Sequence, residues 1–462
     1  MVYLNVKIVE DPDNWESSYT HPGERLHGTS MASLIIYDEL DATKAPINRK
    51  IYVRPIMQPD HKDTFSVNDG QPRHLKIPEN VLTVDYIHRV IKRLFEGENG
   101  IKASAPGVKI INFSIAEKTR TYEGLVSPLA RLFDWLSYKY NVLFIISAGN
   151  YDENLEFEIS HQEFVSLKQN PTQLAELALN KIKNLMFDRR LRSPAESMNA
   201  LTIGSLHHDF SNRSNLSPNF IDFFTDPMLE LLIPSPINAV GPGINGSIKP
   251  EILLPGGRVY YLESLTTSSN KILLRINTSE SRFGQRVAAP AIKSGSLNNT
   301  TYTRGTSNAT AIASRNAIQL YEVLSSLKNE VGDEGIDEAY FPVLIKTLLV
   351  HGASWGESKE ILQKSLPAKT SHLVKKDFCS RLIGFGSQNI DRVLECTSKR
   401  VTLLGWGNIR AEAADKYEFP LPQCLISKPI KKRLIVTLAW FTPVNPSHSS
   451  YRQAHLWVSL WR

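Results

Sequence analysis

Two short stretches of the chain each contain a Gly-Thr-Ser turn and a side chain that could take part in catalysis. The first, HGTSMAS, begins at His27, and the second, RGTSNAT, contains Ser307. A serine hydroxyl becomes a nucleophile when a general base takes its proton, and histidine titrates near neutral pH. Either stretch alone is more often an ordinary helix start. Together, at the starts of two predicted helices, they favour a serine nucleophile with a histidine base.

A third stretch, LFIISAGN, supplies a polar group at the end of a predicted buried strand. It ends at Asn150, whose side-chain amide can donate a hydrogen bond to an oxyanion. Active sites of α/β proteins form at the carboxyl ends of parallel strands, which is where this asparagine lies. Asparagine is also a common turn residue, so this stretch alone leaves both interpretations open.

The elements that must position these residues alternate between strands and helices. Apolar runs that predict buried strands lie at 51–57, 108–115, 141–149 and 200–206. Apolar residues at helical spacing predict helices at 83–97, 124–140 and 171–191. This alternation is typical of a parallel sheet covered on both faces, so the predicted fold class is α/β.

The three stretches resemble the motifs of the subtilisin-like serine peptidases, the subtilases. HGTSMA is similar to the family's histidine motif, SAGN to its oxyanion asparagine motif and GTSNATA to its serine motif. INFSIA (111–116), SPAESMNALTIGS (193–205) and IKPEILLPGG (248–257) resemble further family segments in the same order. The resemblance covers roughly residues 20–355 and implies a three-layer, parallel-sheet catalytic domain.

The resemblance implies a serine endopeptidase that acts on a polypeptide substrate. Ser307 would be the nucleophile and His27 the base, and Asn150 would hold the oxyanion together with the Ser307 backbone N–H. Ser30, inside the first turn after His27, is interpreted as a packing residue. The extended substrate would pair with two strand segments, which consist of Ser114, Ile115 and Ala116 and of Ser147, Ala148 and Gly149.

The aspartate of the family's Asp-His-Ser order is not evident. In the family it ends a strand in an Asp-Ser-Gly or Asp-Thr-Gly turn, roughly thirty residues before the histidine. Only 26 residues precede His27, no such turn occurs among them, and Asp11 leaves little room for the intervening hairpin. Two explanations stay open. The sequence begins late and the aspartate lies upstream of Met1, or the chain is an impaired subtilase that binds peptides without cutting them.

A second alternative rests on the stretch HGASWG (351–356), which contains a G-x-S-x-G pattern around Ser354. This pattern marks the nucleophile elbow of α/β-hydrolase esterases, in which an acid and a histidine follow the serine. Asp377 and either His448 or His455 could serve as those partners. Both histidines lie in the β-rich tail rather than after further α/β units, which weighs against this alternative.

Two further patterns do not support a cofactor or a metal. GPGING (241–246) is not followed by a helix, as a dinucleotide site requires. His207 and His208 are adjacent in a predicted strand, so their side chains point to opposite sides and cannot share a metal ion. We expect no cofactor and no metal site.

Composition and charge favour an enzyme without a nucleic-acid or membrane partner. The net charge is +6 over 462 residues, and the densest basic run, KPIKKR (428–433), lies between apolar strands as a predicted hairpin turn. No apolar run approaches the ~20 residues that span a bilayer. The three cysteines are odd in number and widely spaced, which predicts a reducing, cytoplasmic location.

The predicted domain organisation has three parts. A peptidase domain occupies residues 1–355, is incomplete at its N-terminus and contains a helical insertion at about 151–192. A linker follows over 356–374. A small all-β C-terminal domain occupies 375–462, where apolar strand-like runs follow one another without helices and the sequence ends inside one of them.

Overall fold

The computed structural model describes residues 6–212, 219–224, 233–264, 270–277, 283–291, 296–330, 335–397, 400–418, 433–448 and 450–459. The helices are α1 (Leu26–Tyr37), α2 (Thr64–Asn68), α3 (Thr83–Phe95), α4 (Pro128–Tyr140), α5 (His161–Lys168), α6 (Pro171–Asn184), α7 (Thr306–Glu330), α8 (Phe341–His351), α9 (Ser358–Lys364), α10 (His372–Ile383) and α11 (Asp391–Leu394). Within these described ranges, none of the helices combines the length and the apolar character needed to cross a membrane.

The strands are β1 (Val6–Val9), β2 (Ile51–Val53), β3 (Gln58–Pro59), β4 (Leu75–Lys76), β5 (Ile110–Phe113), β6 (Leu143–Ser147), β7 (Leu155–Phe157), β8 (Leu201–Leu206), β9 (Phe220–Ile221), β10 (Ile252–Pro255), β11 (Tyr261–Glu263), β12 (Ile272–Ile276), β13 (Gln285–Ala288), β14 (Thr300–Thr303), β15 (Ala353–Ser354) and β16 (Ser387–Gln388).

A six-stranded sheet forms the centre of the fold. Its strands follow the order β15-β16-β10-β8-β6-β5, and the run from β16 to β5 is parallel. Every residue of β6 and β8 is buried, as expected for central strands of a sheet covered on both faces. The α/β class predicted from the alternation of strands and helices is confirmed.

Helices cover both faces of this sheet. One face carries α7, whose buried residues Ala309, Ala313 and Ala317 are small enough for the helix to lie close to β5, β6, β8 and β10. Helices α1 and α8 pack beside α7. The other face carries α3 and α4, whose apolar residues recur at helical spacing and pack against Phe113 and Phe144. The strand that leads to Asn150 and the helix that begins beside Ser307 are therefore both packed into the core.

A second sheet is formed by strands that follow Asn150 in the chain. Strands β7, β12, β11 and β9 pair in this order and are antiparallel. Helices α5 and α6 pack with this sheet around Phe157, Phe164 and Phe223. The predicted insertion at about 151–192 thus contributes α5, α6 and strand β7 to a larger subdomain, which also contains β9, β11 and β12.

The segment before α1 lies outside the central sheet. Strand β1 pairs in parallel with β2 in a sheet of two strands. In the described part of the chain, β5 pairs with β6 and with no other strand. The β1–β2 pair and the central sheet are therefore separate sheets, and β5 is an edge strand of the central sheet among the described residues.

The C-terminal region lies against the peptidase core. Helix α10 crosses residue 375, the boundary predicted between a linker and an all-β domain. Residues 400–418, 433–448 and 450–459 lie mostly outside helices and strands, and an isolated bridge between Val444 and Arg452 is the strand pairing described within them. Leu404, Trp406 and Phe441 pack against the core around α7 and α8. A separate all-β domain stays a prediction.

The stretch around Tyr451 is attached to α4 by buried hydrogen bonds. Tyr451 Oη donates to Asp134 Oδ2 at 2.5 Å, and Asp134 Oδ1 accepts from Ser197 Oγ and the Asn199 N–H. Burial raises the pKa of Asp134, which these donors partly offset. Asn199 also exchanges two hydrogen bonds with the backbone of Thr442. The network joins the C-terminal stretch to the core.

Tyr451→Phe should lower the free energy of unfolding by about 1–3 kcal/mol, because it leaves a buried carboxyl oxygen without its donor. Urea unfolding followed by intrinsic fluorescence measures the change. Tyr417→Phe is the matched control, since Tyr417 is 60% exposed. A loss below about 0.5 kcal/mol, typical of surface substitutions, would mean that the network does not support the fold.

Candidate active site

Ser307 lies in the first turn of α7, directly after a glycine that allows a close approach. Gly305 has φ +126°, and a Cβ at this position would lie 2.7 Å from Asn150 Nδ2. The Gly305 N–H donates to Gly256 O at 2.7 Å, which fixes the turn against the end of β10. The first N–H groups of a helix lack intrahelical acceptors, so the Ser307 N–H is suited to binding an anion.

Asn150 follows β6 and contacts this turn directly. Its Oδ1 accepts hydrogen bonds from the Thr306 N–H at 2.9 Å and from Thr306 Oγ1 at 3.0 Å. Among the described residues, Asn150 Nδ2 donates to no acceptor. The carboxamide is therefore oriented by its oxygen, while its nitrogen stays available as a donor beside Ser307.

Ser114, at the end of β5, lies against Ser307. Ser307 Oγ donates to Ser114 O at 3.0 Å, and Ser114 Oγ lies 3.4 Å from Ser307 O. Ser114 Oγ also donates to Asn112 Oδ1, and Asn112 Nδ2 donates to Ser314 Oγ, about two turns further along α7 than Ser307. These contacts bring one of the two predicted substrate-pairing segments next to the predicted nucleophile.

His27 lies in the first turn of α1, the helix that packs on α7. Arg315 of α7 donates from its buried guanidinium to Ile36 O, which fixes the far end of α1. His27 is exposed to solvent, yet desolvation by the surrounding protein lowers the pKa of its imidazole.

His27 and Ser307 are not hydrogen-bonded to each other in this structure. The Ser307 hydroxyl points to Ser114 O instead, and His27 makes no hydrogen bond to another described residue. Catalytic hydrogen bonds are often unformed in proteins without substrate and form in the complex. The structure thus brings together Ser307, Asn150 and Ser114, and it places His27 on the neighbouring helix.

No carboxylate in the described part of the chain contacts His27. Asp11 Oδ2 accepts from the Glu16 N–H at 2.7 Å, and Asp13 pairs with Arg54 at 2.6 Å. Asp38, at the other end of α1, pairs with Lys44. The partner that would orient the imidazole is therefore absent from the described residues.

The other candidate motifs are arranged differently. Ser354 ends the two-residue strand β15, which pairs antiparallel with β16 at the edge of the central sheet, and its Oγ accepts from Arg392 Nη1. A nucleophile elbow instead presents its serine at the top of the sheet, in the turn between a strand and a helix. His207 Nε2 lies 2.9 Å from Asp222 Oδ1, and His208 packs on Phe210. Over the described ranges, no group of three or more His, Cys, Asp or Glu side chains could hold a metal ion.

Arg192 is a residue near the site that the sequence analysis did not single out. Its side-chain methylenes lie against Gly149, the residue before Asn150. It is separated from the asparagine motif by 42 positions (192 − 150 = 42), and nothing in its local pattern connects the two. Only the folded insertion, which returns the chain to β6, brings it there.

The chain matches a family model and a distantly similar curated protein. The family model described as Subtilase family matches residues 3–386. The uncharacterized protein y4bN of Sinorhizobium fredii is 22% identical over 346 residues, which cover 75% of this chain and 69% of that protein.

Two of the solved structures to which the chain is similar are maturation proteases. Prenylagaramide maturation protease PagA is 17% identical, with a TM-score of 0.39, over 80% of this chain and 86% of that one. Patellamide maturation protease PatA is 18% identical, with a TM-score of 0.37, over 83% of this chain and 86% of that one.

Proposed function

The chain belongs to the subtilase family of serine peptidases, and from this premise we propose that it is an endopeptidase with Ser307 as nucleophile. The observation that carries the proposal is the contact of Asn150 with the Gly305–Thr306 turn, because it sets a free amide donor beside the Ser307 hydroxyl. Three stretches far apart in sequence supply the nucleophile, the oxyanion donor and a strand for the substrate.

These residues would carry out the following reaction. Ser307 Oγ attacks the peptide carbonyl carbon while His27 takes its proton, and the carbonyl π electrons move to oxygen. Asn150 Nδ2 and the Ser307 N–H donate to this oxyanion, a contribution of roughly 3–4 kcal/mol for each donor. His27 then protonates the leaving amine, and water releases the acyl group by the same steps in reverse.

The hydrogen bond from Ser307 to Ser114 O supports a role for substrate in preparing the nucleophile. A substrate strand that pairs with Ser114–Ala116 offers a backbone N–H to the Ser114 carbonyl. This N–H would replace the Ser307 hydroxyl, which then turns towards His27. Side-chain pockets along Ser114–Ala116 and Ser147–Gly149 would select the peptide.

Peptide hydrolysis should persist at mildly acidic pH, where the His27 imidazole is still in its neutral, basic form. Because desolvation lowers the pKa of His27 from its usual value of 6.5, neutral imidazole persists below that pH. The acid limb of the pH–rate profile should therefore have its midpoint below pH 6.5. Initial rates with a quenched fluorescent peptide between about pH 4 and 8 measure it.

A midpoint above pH 6.5 would contradict this assignment of the base. The melting temperature recorded over the same pH range is the control, since it separates loss of the base from loss of the fold.

A peptide-binding protein without hydrolysis is the second candidate, favoured by the absence of a described carboxylate next to His27. The aspartate orients the imidazole, and its loss costs on the order of 10⁴-fold in rate, a figure that comes from subtilisin itself. A fluorophosphonate probe separates the candidates. Label on Ser307 supports the peptidase, label on Ser354 supports an esterase, and an unlabelled folded chain supports the binder.

A cytoplasmic location is part of the proposal. Cys379 and Cys396 are free thiols, which a reducing compartment preserves. Fractionation of the native cells with an antibody against the chain tests the location, and recovery in the secreted fraction would contradict it.

A further inference from the structure

We propose that Arg192 makes the site select a substrate with an acidic side chain on the residue whose carbonyl is attacked. The inference rests on the proposed function, because it takes the substrate to lie along Ser147–Gly149 with its carbonyl at Asn150. It adds a substrate class to that site.

Arg192 lies directly behind the strand segment that leads to Asn150. Its backbone N–H donates to Ala148 O at 3.1 Å, and its Cβ, Cγ and Cδ lie 2.9–3.1 Å from the place of a Cβ on Gly149. Gly149 has φ +109°, which glycine adopts without strain. Any larger residue at Gly149 would collide with Arg192, so the glycine allows the arginine side chain to pack directly against this segment.

The charge of Arg192 is not neutralised within the described part of the chain. Its guanidinium lies over the ring of Tyr151, 4.2 Å from the centroid, and its Nε is buried without a hydrogen-bond partner. No carboxylate of the described residues lies within ion-pair distance of it. An arginine in this state favours an anionic ligand, because the fork of its N–H groups matches the two oxygens of a carboxylate.

Two carboxylates near this segment, those of Glu117 and Glu153, already have partners. Glu117, after the Ser114–Ala116 segment, accepts from Ser193 Oγ at 2.9 Å and pairs with Arg120 at 3.4 Å. Glu153 lies 4.0 Å from Arg189, a second buried guanidinium that adds positive potential near Tyr151. Arg189 and Arg192 therefore place two guanidinium groups near Tyr151, and an anionic ligand could pair with that of Arg192.

The position of Arg192 determines which substrate residue it meets. A peptide whose carbonyl oxygen reaches Asn150 Nδ2 runs alongside Ser147–Gly149, so the residue that carries this carbonyl is the one nearest Arg192. Glutamate or aspartate there would pair with the guanidinium. Glutamine has the shape of glutamate but no charge, and it leaves the arginine unpaired.

The test uses two fluorescent peptides that differ only by Glu or Gln at this residue. Their binding to the full-length Ser307→Ala chain is measured by fluorescence polarisation, which requires no turnover. The Glu peptide should bind about tenfold more tightly, as expected for a charge-assisted hydrogen bond. Arg192→Gln should remove the difference, and Arg192→Lys should keep part of it.

Arg190→Gln is the matched control, because Arg190 is exposed and its Nε donates to Phe187 O, outside the cleft. It should leave the Glu preference unchanged. Melting temperatures show whether each variant is folded.

Equal binding of the two peptides overturns the proposal, as does a Glu preference that survives in Arg192→Gln or the absence of binding by either peptide. Fluorophosphonate labelling of the unaltered chain is scored separately. Loss of labelling counts against the endopeptidase, while the Glu–Gln comparison still decides the role of Arg192.

Discussion

Ser307→Ala should abolish covalent labelling of the full-length chain by a fluorophosphonate probe. The label forms when the serine oxygen displaces fluoride from phosphorus, so removal of this oxygen removes the bond itself. Ser307 is the serine at the helix start that has Asn150 and Ser114 beside it. Intact-mass spectrometry measures the label, and hydrolysis of a quenched peptide should fall to the background level in the same sample.

Two serine variants serve as matched controls for this result. Ser30 lies in the other Gly-Thr-Ser stretch and is buried in α1, and Ser354 lies in the G-x-S-x-G pattern beside Arg392. Ser30→Ala and Ser354→Ala should both keep the label. Label that survives Ser307→Ala and disappears in Ser354→Ala would replace the peptidase by an esterase.

The sequence predicted the central elements because each has a strong local pattern. Helix α3 was expected at 83–97 and runs from Thr83 to Phe95, since its apolar residues recur every three or four positions. Strand β6 was expected at 141–149 and runs from Leu143 to Ser147, a wholly apolar run until its last residue. The alanines after Ser307 indicated a helix close to a sheet, and α7 has that position.

The contacts that define the site could not be read from local patterns. The hydrogen bond from Ser307 to Ser114 joins residues 193 positions apart, and Arg192 reaches Gly149 only because the subdomain after Asn150 folds back. A sequence motif also does not predict which side-chain conformation a residue adopts. The resemblance implied that His27 and Ser307 are partners, but the Ser307 hydroxyl donates to the backbone carbonyl of Ser114 in this structure.

The C-terminal region illustrates a different limit. Apolar, β-rich runs without intervening helices predicted strands there, but the described ranges lie mostly outside strands, because a strand also requires a paired neighbour. Helix α10 arose where the sequence analysis expected a linker and then strands, because its apolar residues Phe378, Leu382 and Ile383 pack into the core around α6. Tertiary burial, rather than local propensity, decided its structure.

Asn150→Asp should reduce kcat for peptide hydrolysis by about 10²–10³-fold, a range measured by removing this donor in subtilisin, a member of the same family. The substitution separates the two roles of the side chain. Aspartate keeps an oxygen that can accept from the Thr306 N–H and Oγ1, the contacts that hold the α7 turn. It lacks the amide nitrogen, and its negative charge repels the oxyanion.

The melting temperature of Asn150→Asp should therefore stay close to that of the unaltered chain while kcat falls and KM changes little. Asn150→Ala is the comparison, because it removes both the donor and the acceptor and should also lower the melting temperature. Stopped-assay rates and differential scanning fluorimetry measure the two effects. An Asn150→Asp chain with unchanged kcat would show that the oxyanion lies elsewhere, and the arrangement of Ser307 beside this carboxamide would then be structural only.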